Sequence, residues 1–551
     1  MIKALPRLGL ALFTLPMLGG LVVGFVPAFS GGFAELAGWP GLPRAVALSV
    51  GTGMGATALS LLLTGLIVAM LHDRPAFAPL RRMLSPLLAV PHAAAALGLA
   101  FLLAPSGWIA RLLSPWATDW QQPPDLLTLH DPMGLALTLG LVAKEMPFLL
   151  LMALAALPAC APAQRLVLGA ALGHGRLSAF AVGVWPPLYA RLRLPVMAVL
   201  AYGMTTVEMA MILGPGLPPT LSAQIAGWLT DAGLRHLPVA SAAAIVQLAL
   251  VLAAMGLWRV AEGAGRAGLR YHIGRGRRAV WADAPARLAA MGLGFGLAGL
   301  LALSLAGLGL WSVAAEWRFP ADLPQSLTLQ TWARALPALG HSLWLTAVIA
   351  FGATGLALGL VIASLQFEQS HGLVPDRWAE RALYLPLLLP QIAVMPGVQV
   401  IALHLGVEGT ALAVMVVHLF FVLPYVFLSL APAYRGWDSR LGVAAATLGA
   451  GQTRIFWHLR LPMLLGPVLT AAALGIAVSA GQYLPTLMVG GGRVGTLTVE
   501  AVALSSGGNR RLIGVFAVAQ LALPAVAFAL ALAVPRQVFA NRRAMLAERG
   551  R

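Results

Sequence analysis

The sequence predicts an all-α, polytopic membrane protein with about twelve transmembrane helices arranged as two parallel six-helix repeats. Apolar residues make up 59% of the 551 residues, only 10% are charged, and the mean hydropathy is +0.85. Uncharged runs such as 342–367 and 512–534 reach the length of about 20 residues that a helix needs to cross a bilayer. They are too long and continuous for the alternating strands of a membrane barrel. The backbone polar groups must therefore be satisfied within helices.

Twelve apolar stretches are candidate spans, at about 8–28, 45–71, 87–104, 133–158, 194–214, 237–259, 289–315, 341–365, 382–405, 409–432, 462–488 and 512–534. The first stretch follows Lys3 and Arg7, and this pattern resembles a secretory signal. Because eleven further spans follow, we interpret it as an uncleaved membrane anchor.

The net charge of +17 is unevenly distributed between the loops. With the N-terminus placed inside, the cytosolic segments contain 27 of the 36 basic residues and 8 of the 19 acidic ones, against 8 basic and 9 acidic residues outside. Positive charge collects on the cytosolic side of inner membranes. The pattern therefore predicts a bacterial inner-membrane protein with both termini in the cytosol. Its charge needs no nucleic-acid partner.

The densest basic stretch, with seven arginines, separates two six-span halves. The predicted divisions are a first six-span repeat at 1–258, a basic cytosolic linker at 259–288, a second repeat at 289–535 and a basic cytosolic tail at 536–551. Short segments return in the same order at offsets of 277 to 299: Gly65–Ala69 as Gly359–Ala363, Pro91 as Pro390 and Pro147 as Pro424. An even number of spans per half gives both halves the same orientation, as in transporters built from parallel repeats.

One loop is written twice. Residues 167–186 (the first loop) and 443–462 (the second loop) agree at seven of twenty positions: Val167/Val443, Ala170/Ala446, Leu172/Leu448, Gly173/Gly449, Gly175/Gly451, Phe180/Phe456 and Pro186/Pro462. The shared glycine permits a turn that other residues resist. A small apolar helix at the membrane surface either rests on lipid headgroups or docks a partner protein.

The second loop resembles the EAA loop of ABC-importer permeases, whose pattern is EAA, three residues, Gly, nine residues and Ile-x-Leu-Pro. From Gly449 the spacing leads to LRLP, ending at Leu461 and Pro462. The first loop keeps Gly173 and Pro186 but has Gly183 and Trp185 at the two apolar positions. Both loops carry valine at the position of the family's glutamate, which removes one polar anchor.

The resemblance covers nearly the whole chain, which is similar to the fused double permeases of iron(III) and thiamine importers. The stretch 481–508 is most similar to YnjC-like permeases. The resemblance implies that each loop is a coupling helix seated on one of two ATP-binding subunits, and that a periplasmic solute-binding protein delivers the solute. The coupling residues it implies are Ala170, Leu172, Gly173, Phe180, Pro186, Ala446, Leu448, Gly449, Phe456, Leu461 and Pro462.

The chain has no GxxxxGK[ST] segment of the kind that cradles phosphates. ATP is therefore expected on a partner subunit, and no cofactor or enzymatic activity is expected of this chain. The eleven histidines are scattered, so no metal-ligand spacing occurs on one helix face. The single cysteine, Cys160, excludes an internal disulfide.

Ionisable groups within spans are costly and indicate a solute path. Lys144 and Glu145 lie in the fourth span, and Glu208 lies in the fifth, with its repeat counterpart near Gln482 and Tyr483. The resemblance implies that the fifth span of each half lines the translocation path. We therefore predict that these five residues line it. The alternative is that they join helices or reach toward the membrane surface.

Two other functions fit parts of the sequence. A twelve-helix secondary transporter driven by an ion gradient would explain the topology and the linker, but not the paired loops. A membrane-embedded enzyme acting on lipid would need a cluster of carboxylates, histidines or metal ligands at the bilayer edge, and the sequence shows none.

Overall fold

A computed structural model describes residues 5–87, 89–231, 234–276, 278, 280–373 and 382–539. Twelve principal helices run through it in chain order: α1 (Leu5–Phe25), α2 (Leu42–Leu71), α3 (His92–Leu103), α4 (Leu135–Ala156), α5 (Trp185–Thr205), α6 (Leu237–Gly274), α7 (Asp283–Val313), α8 (Gln330–Ser370), α9 (Gln391–His404), α10 (Ala411–Arg435), α11 (Leu465–Ala480) and α12 (Arg510–Val538). Each overlaps one predicted span.

Shorter elements connect them. The short helices are Gly32–Gly38, Phe77–Leu87, Trp108–Leu113, Pro162–Ala171, Arg176–Ala179, Glu208–Leu213, Leu221–Thr230, Leu385–Leu388, Ser439–Thr447, Gln452–Ile455, Leu461–Met463, Leu484–Gly490 and Leu497–Ser505, with 3-10 turns at Val26–Phe29, Pro158–Cys160, Leu234–His236 and Val280–Ala282. One antiparallel pair of strands, β1 (Ala314–Glu316) and β2 (Ser326–Leu327), places Ala314 opposite Leu327. The sequence predicted no strand.

The polytopic all-α fold is confirmed. Within the described residues, eight helices are long and apolar enough to cross a membrane, and ten if each of two sharply bent helix pairs is one span. The predicted third and ninth spans contain principal helices of only 12 and 14 residues, α3 and α9. These begin directly after Pro91 and Pro390, because proline cannot donate the backbone bond that would continue a helix through it.

The predicted linker is mostly helical. Helix α6 continues to Gly274, well beyond the predicted span end at 259, and α7 already begins at Asp283. Only 275–282 separate the two helices. The membrane limits the apolar part of a helix, but the helix itself ends only where its hydrogen bonding stops.

The first helix of each half packs against the third helix of the other half. Helix α1 lies on α9, and α7 lies on α3. A Cβ at Gly397 would collide with the backbone of Gly20 and Gly24, and a Cβ at Gly98 would lie 3.0 Å from the carbonyl oxygen of Ser304. Gly98 and Gly397 each follow the helix-starting proline by seven residues. The two halves therefore interlock through the same close helix crossing, of the kind that small residues permit in membranes.

Candidate coupling loops and a central polar cluster

The two loops share one backbone turn. Gly173 and Gly449 have φ values of +80° and +84°, in the left-handed region that favours glycine. In the first loop the amide of His174 donates to the carbonyl oxygen of Gly169 at 3.0 Å, and the corresponding bond in the second loop has the same length. This is the Schellman pattern, which satisfies carbonyl groups at a helix end. The presence of glycine at the equivalent position of both loops therefore has a structural cause.

The likeness continues beyond the turn. Each loop has a four-residue helix followed by one π-helical turn, at Phe180–Val184 in the first loop and Phe456–Arg460 in the second. These elements are offset by the same 276 residues as the sequence repeat. The first π turn continues directly into α5, and the second leads through Leu461–Met463 into α11.

The helices that precede the turns, Pro162–Ala171 and Ser439–Thr447, bury none of their residues. Val167, in the first of these helices, is 70% exposed, and Leu448, directly after the second, is 89% exposed. The other large exposed apolar residues of the two loops are Leu168, Leu172, Val443 and Trp457. The valines at the glutamate positions of the motif thus add to an apolar face. A paired apolar face of this kind marks an interaction surface.

The structure separates the predicted loop residues by exposure. Exposed are Ala170, Leu172, Pro186, Ala446, Leu448 and Gly449; half-buried are Gly173, Phe456, Leu461 and Pro462. Phe180 is only 3% exposed, and its ring packs against Trp185 at 6.3 Å between centroids. Phe180 therefore belongs to the core under the first loop. Trp457, which the sequence analysis did not single out, presents the exposed aromatic ring of the second loop.

Arg176 fastens the first loop to the end of α2. Its guanidinium donates to the carboxylate of Asp73 at 2.6 and 3.1 Å and to the carbonyl oxygen of Ala69 at 2.7 Å. Burial opposes the ionisation of Asp73, but the hydrogen bond and positive charge of Arg176 outweigh it and lower the pKa of that carboxyl. The pair therefore remains ionised below the usual pKa of an aspartate.

The start of α7 also holds the first loop. The carboxylate of Asp283 accepts hydrogen bonds from the backbone amides of Arg176, at 2.6 Å, and Leu177, at 2.9 Å. The amide of Gly175 donates to the carbonyl oxygen of Arg278 at 2.9 Å. The connection between the two halves is thus part of the support of the first loop.

The second loop is fastened by a different arginine. The guanidinium of Arg460 lies 4.3 Å from the centroid of the Trp437 ring and donates to Oε1 of Gln366 at 2.5 Å. Tyr434 donates to the same oxygen at 2.6 Å. The two loops therefore share a backbone conformation but are held in place by different side-chain contacts.

Six side chains lie close together where the halves meet, and we call them the central polar cluster: His92, Glu145, Tyr202, Glu208, Tyr425 and Tyr483. The Tyr202 hydroxyl donates to Glu208 Oε1 at 2.8 Å, and His92 Nε2 lies 3.2 Å from Glu145 Oε1. The rings of His92 and Tyr202 are 4.6 Å apart.

Two tyrosines of the second half complete the cluster. The hydroxyl of Tyr483 lies 3.7 Å from Sδ of Met211, in the short helix that begins at Glu208, and Tyr425, in α10, interacts electrostatically with Glu145. Glu145, Glu208 and Tyr483 are buried, whereas His92, Tyr202 and Tyr425 remain partly exposed. The structure thus brings together three of the five predicted path residues.

The other two predicted path residues have structural contacts. Lys144 donates to the carbonyl oxygens of Leu87 and Val90, at 3.1 and 2.6 Å, just before Pro91 and the start of α3. Gln482 donates to the carbonyl oxygen of His418 at 3.3 Å, and its own side-chain oxygen has no hydrogen-bond partner among the described residues. Both contacts are buried and join neighbouring segments.

Two helix breaks lie beside the cluster. Helix α5 ends at Thr205 and a new helix begins at Glu208; α11 ends at Ala480 and a new helix begins at Leu484. The offset of 276 makes Leu484, two residues after Gln482, the counterpart of Glu208. The carboxylate is therefore present in one half only. Within the described residues, no group of three or more His, Cys, Asp or Glu side chains could hold a metal ion.

Comparison with known proteins assigns the chain to a family. The sequence model of the family described as binding-protein-dependent transport system inner membrane component matches residues 355–544. The chain is 33% identical over 500 residues to the inner membrane ABC transporter permease protein YnjC of Escherichia coli (strain K12), covering 91% of this chain and 89% of that protein. It is 30% identical over 161 residues to the molybdenum transport system permease protein ModB of Mycobacterium tuberculosis (strain ATCC 25618 / H37Rv), covering 26% of this chain and 59% of that protein.

Both relatives are transport permeases, and YnjC is named as a permease of an ABC transporter, so they favour the importer interpretation over a secondary transporter. They agree with the repeated loop and with the polytopic helical fold. The chain belongs to the inner-membrane permeases of binding-protein-dependent ABC transporters, and it is the membrane subunit of an ABC importer.

Proposed function

We propose that the first and second loops are coupling sites, each seated on one of two separate ATP-binding subunits at the cytosolic face. The observation that carries this proposal is the repetition of one exposed apolar helix, one left-handed glycine and one π turn at a constant offset of 276 residues. Two like surfaces fit two like partners. Val167 and Val443 would contact an apolar groove there rather than a polar one.

Helices α5 and α11 connect these loops to the interior. Helix α5 has 21 residues, a length of about 32 Å at 1.5 Å per residue. At one end it receives the first loop through a π turn, and at the other it breaks beside Glu208. A displacement of the loop by an ATP-binding subunit would therefore be transmitted along a single helix to the central polar cluster.

The central polar cluster is proposed as part of the translocation path. It lies at the meeting of the two halves, where relative movement of the halves would open it alternately to each side. A periplasmic solute-binding protein would deliver the solute from the side opposite the loops. In this orientation both termini are cytosolic, in agreement with the distribution of basic residues.

Subunit composition tests the proposal. The tagged chain is purified in a mild detergent and the proteins that accompany it are quantified by mass spectrometry. We expect ATP-binding subunits at about two copies per chain, and their loss when Gly173 and Gly449 are both changed to proline. A chain that purifies without an ATPase, and transports in proteoliposomes on an ion gradient, would overturn the proposal.

A further inference from the structure

We propose that the central polar cluster receives an organic cation, such as a protonated amine or a quaternary ammonium group, as the transported solute. The inference rests on the proposed translocation path and adds the chemical class of the solute. It is carried by two buried carboxylates, three tyrosines and one histidine that meet at the junction of the two halves.

The charges of the central polar cluster favour a cation. Glu145 and Glu208 are 6% and 8% exposed, and in the part of the chain that the structure describes neither forms an ion pair with lysine or arginine. Lys144 lies within electrostatic reach of Glu145, but its ammonium group is directed to the carbonyl oxygens of Leu87 and Val90. Glu145 contacts His92 Nε2 at 3.2 Å, and Glu208 accepts a hydrogen bond from Tyr202. Buried carboxylates are costly, and a cation bound between them would stabilise both.

The aromatic rings of the cluster also favour an organic cation. Tyr202 donates a hydrogen bond to Glu208 and lies against the ring of His92, while Tyr425 and Tyr483 of the other half interact electrostatically with Glu145 and Glu208. Tyrosine rings attract cations through their faces, and groups of aromatic side chains recognise quaternary ammonium ligands. Carboxylates and tyrosines together therefore favour an organic cation over an anion or a neutral sugar.

The ligand geometry argues against a bare metal ion. A divalent transition metal is usually held by three or four side chains of histidine, cysteine or carboxylate type, and no such group of three occurs within the described residues. An organic cation needs only one or two carboxylates and an aromatic surface.

The halves contribute unequally. His92, Glu145 and Glu208 come from the first half, and Tyr425 and Tyr483 from the second. The counterpart of Glu208 in the second half is Leu484, and His92 corresponds to Gln391, since each directly follows the helix-starting proline. The two carboxylates and Tyr202 of the first half and the two tyrosines of the second half would close on a cation together. Separation of the halves would then weaken the site and release the solute.

Uptake by the reconstituted transporter tests the inference. The chain, with its own ATP-binding subunits and binding protein, is placed in proteoliposomes, and ATP-dependent uptake is measured for choline, spermidine and thiamine as cations and for molybdate and phosphate as anions. We expect uptake of a cation. We expect Glu208→Gln and Glu145→Gln each to lower its rate about tenfold, the effect of about 1.4 kcal/mol.

Two further variants separate charge and ring effects from general damage. Glu316→Gln removes a carboxylate on β1, outside the cluster, and should leave uptake unchanged. Tyr483→Leu should lower cation uptake about threefold more than Tyr483→Phe, because phenylalanine keeps the aromatic face.

The outcomes are distinct. Uptake of molybdate or phosphate, or cation uptake that is insensitive to both glutamine variants, would overturn the inference. So would a complex that hydrolyses ATP but moves none of the three cations. Absence of an ATP-binding subunit from the purified complex would instead count against the proposed function.

Discussion

The hydroxyl of Tyr202 donates a 2.8 Å hydrogen bond to the carboxylate of Glu208 across the break that ends α5. The tyrosine is in the last turn of a helix that begins at the first loop, and the glutamate starts the next helix. The bond therefore joins the part of the chain that would move with an ATP-binding subunit to the part that would meet the solute.

Glu208 and Lys144 should differ in what they affect. We expect Glu208→Ala to lower solute uptake more than it lowers ATPase binding, because its carboxylate faces the central polar cluster. Lys144→Ala should lower the free energy of unfolding of the purified chain by about 1–3 kcal/mol, since it removes a hydrogen-bond donor from the carbonyl oxygens of Leu87 and Val90. Uptake assays and thermal unfolding in detergent distinguish the two. Unchanged uptake in Glu208→Ala would make Glu208 a structural residue.

Exposed apolar residues of the loops should affect docking without affecting folding. Leu448→Asp places a charge on a side chain that is almost fully exposed, so the chain should fold normally but retain at least tenfold less ATPase in a pulldown, a loss of about 1.4 kcal/mol. Phe180→Asp is the matched contrast. Because Phe180 is buried, that variant should fail to accumulate in the membrane. Normal ATPase retention by Leu448→Asp would remove the second loop from the docking surface.

Asp283 should stabilise the first loop but not the second. Asp283→Ala removes the acceptor for two backbone amides at the start of the Arg176–Ala179 helix, a loss of about 1 kcal/mol for a cap of this type. Hydrogen exchange should rise in the first loop and remain unchanged in the second. Equal exchange of both loops in this variant would contradict the assigned support.

The close crossing of α1 and α9 at Gly397 should be essential for the packing of the two halves. Gly397→Val would force a side chain against the backbone of α1, and overpacking of this kind costs about 1–3 kcal/mol or more. Gly355→Val, in α8, is the control, because among the described residues no atom beyond the local helix lies within 4 Å of the added Cβ. Membrane yield and melting temperature should fall for the first variant only. Equal behaviour of the two would contradict the close approach of α1 and α9.

Features fixed by local chemistry were predictable from the sequence. Helix α2 was expected at 45–71 and is found at Leu42–Leu71, because apolar length is a property of the segment itself. The turns at Gly173 and Gly449 were expected as well, since a positive φ selects glycine. The extension of α6 was not expected: residues 260–274 are too polar for the bilayer, but they contain no proline and continue the helix.

Features fixed by tertiary packing were not predictable. Phe180 and Phe456 occupy equivalent positions, yet only Phe180 is buried, because Trp185 lies against it where the second loop has Leu461. Glu145 and Glu208 were found because a charge within an apolar span is conspicuous. His92 was not predicted. Its polar side chain directly follows Pro91, as that of Gln391 directly follows Pro390, and this repeated position could have indicated it.

Site-directed cross-linking tests the docking of the two loops most directly. In a chain with Cys160→Ser, single substitutions Leu172→Cys, Leu448→Cys and Leu217→Cys are introduced, and the assembled transporter is treated with a short bifunctional thiol-to-amine reagent. Leu217 is 94% exposed and lies on the side of the membrane opposite the two loops in the proposed orientation, so it controls for unspecific labelling. The account predicts cross-links to an ATP-binding subunit from Leu172→Cys and from Leu448→Cys, and none from Leu217→Cys. Cross-links from Leu217→Cys, or from neither loop, would contradict it.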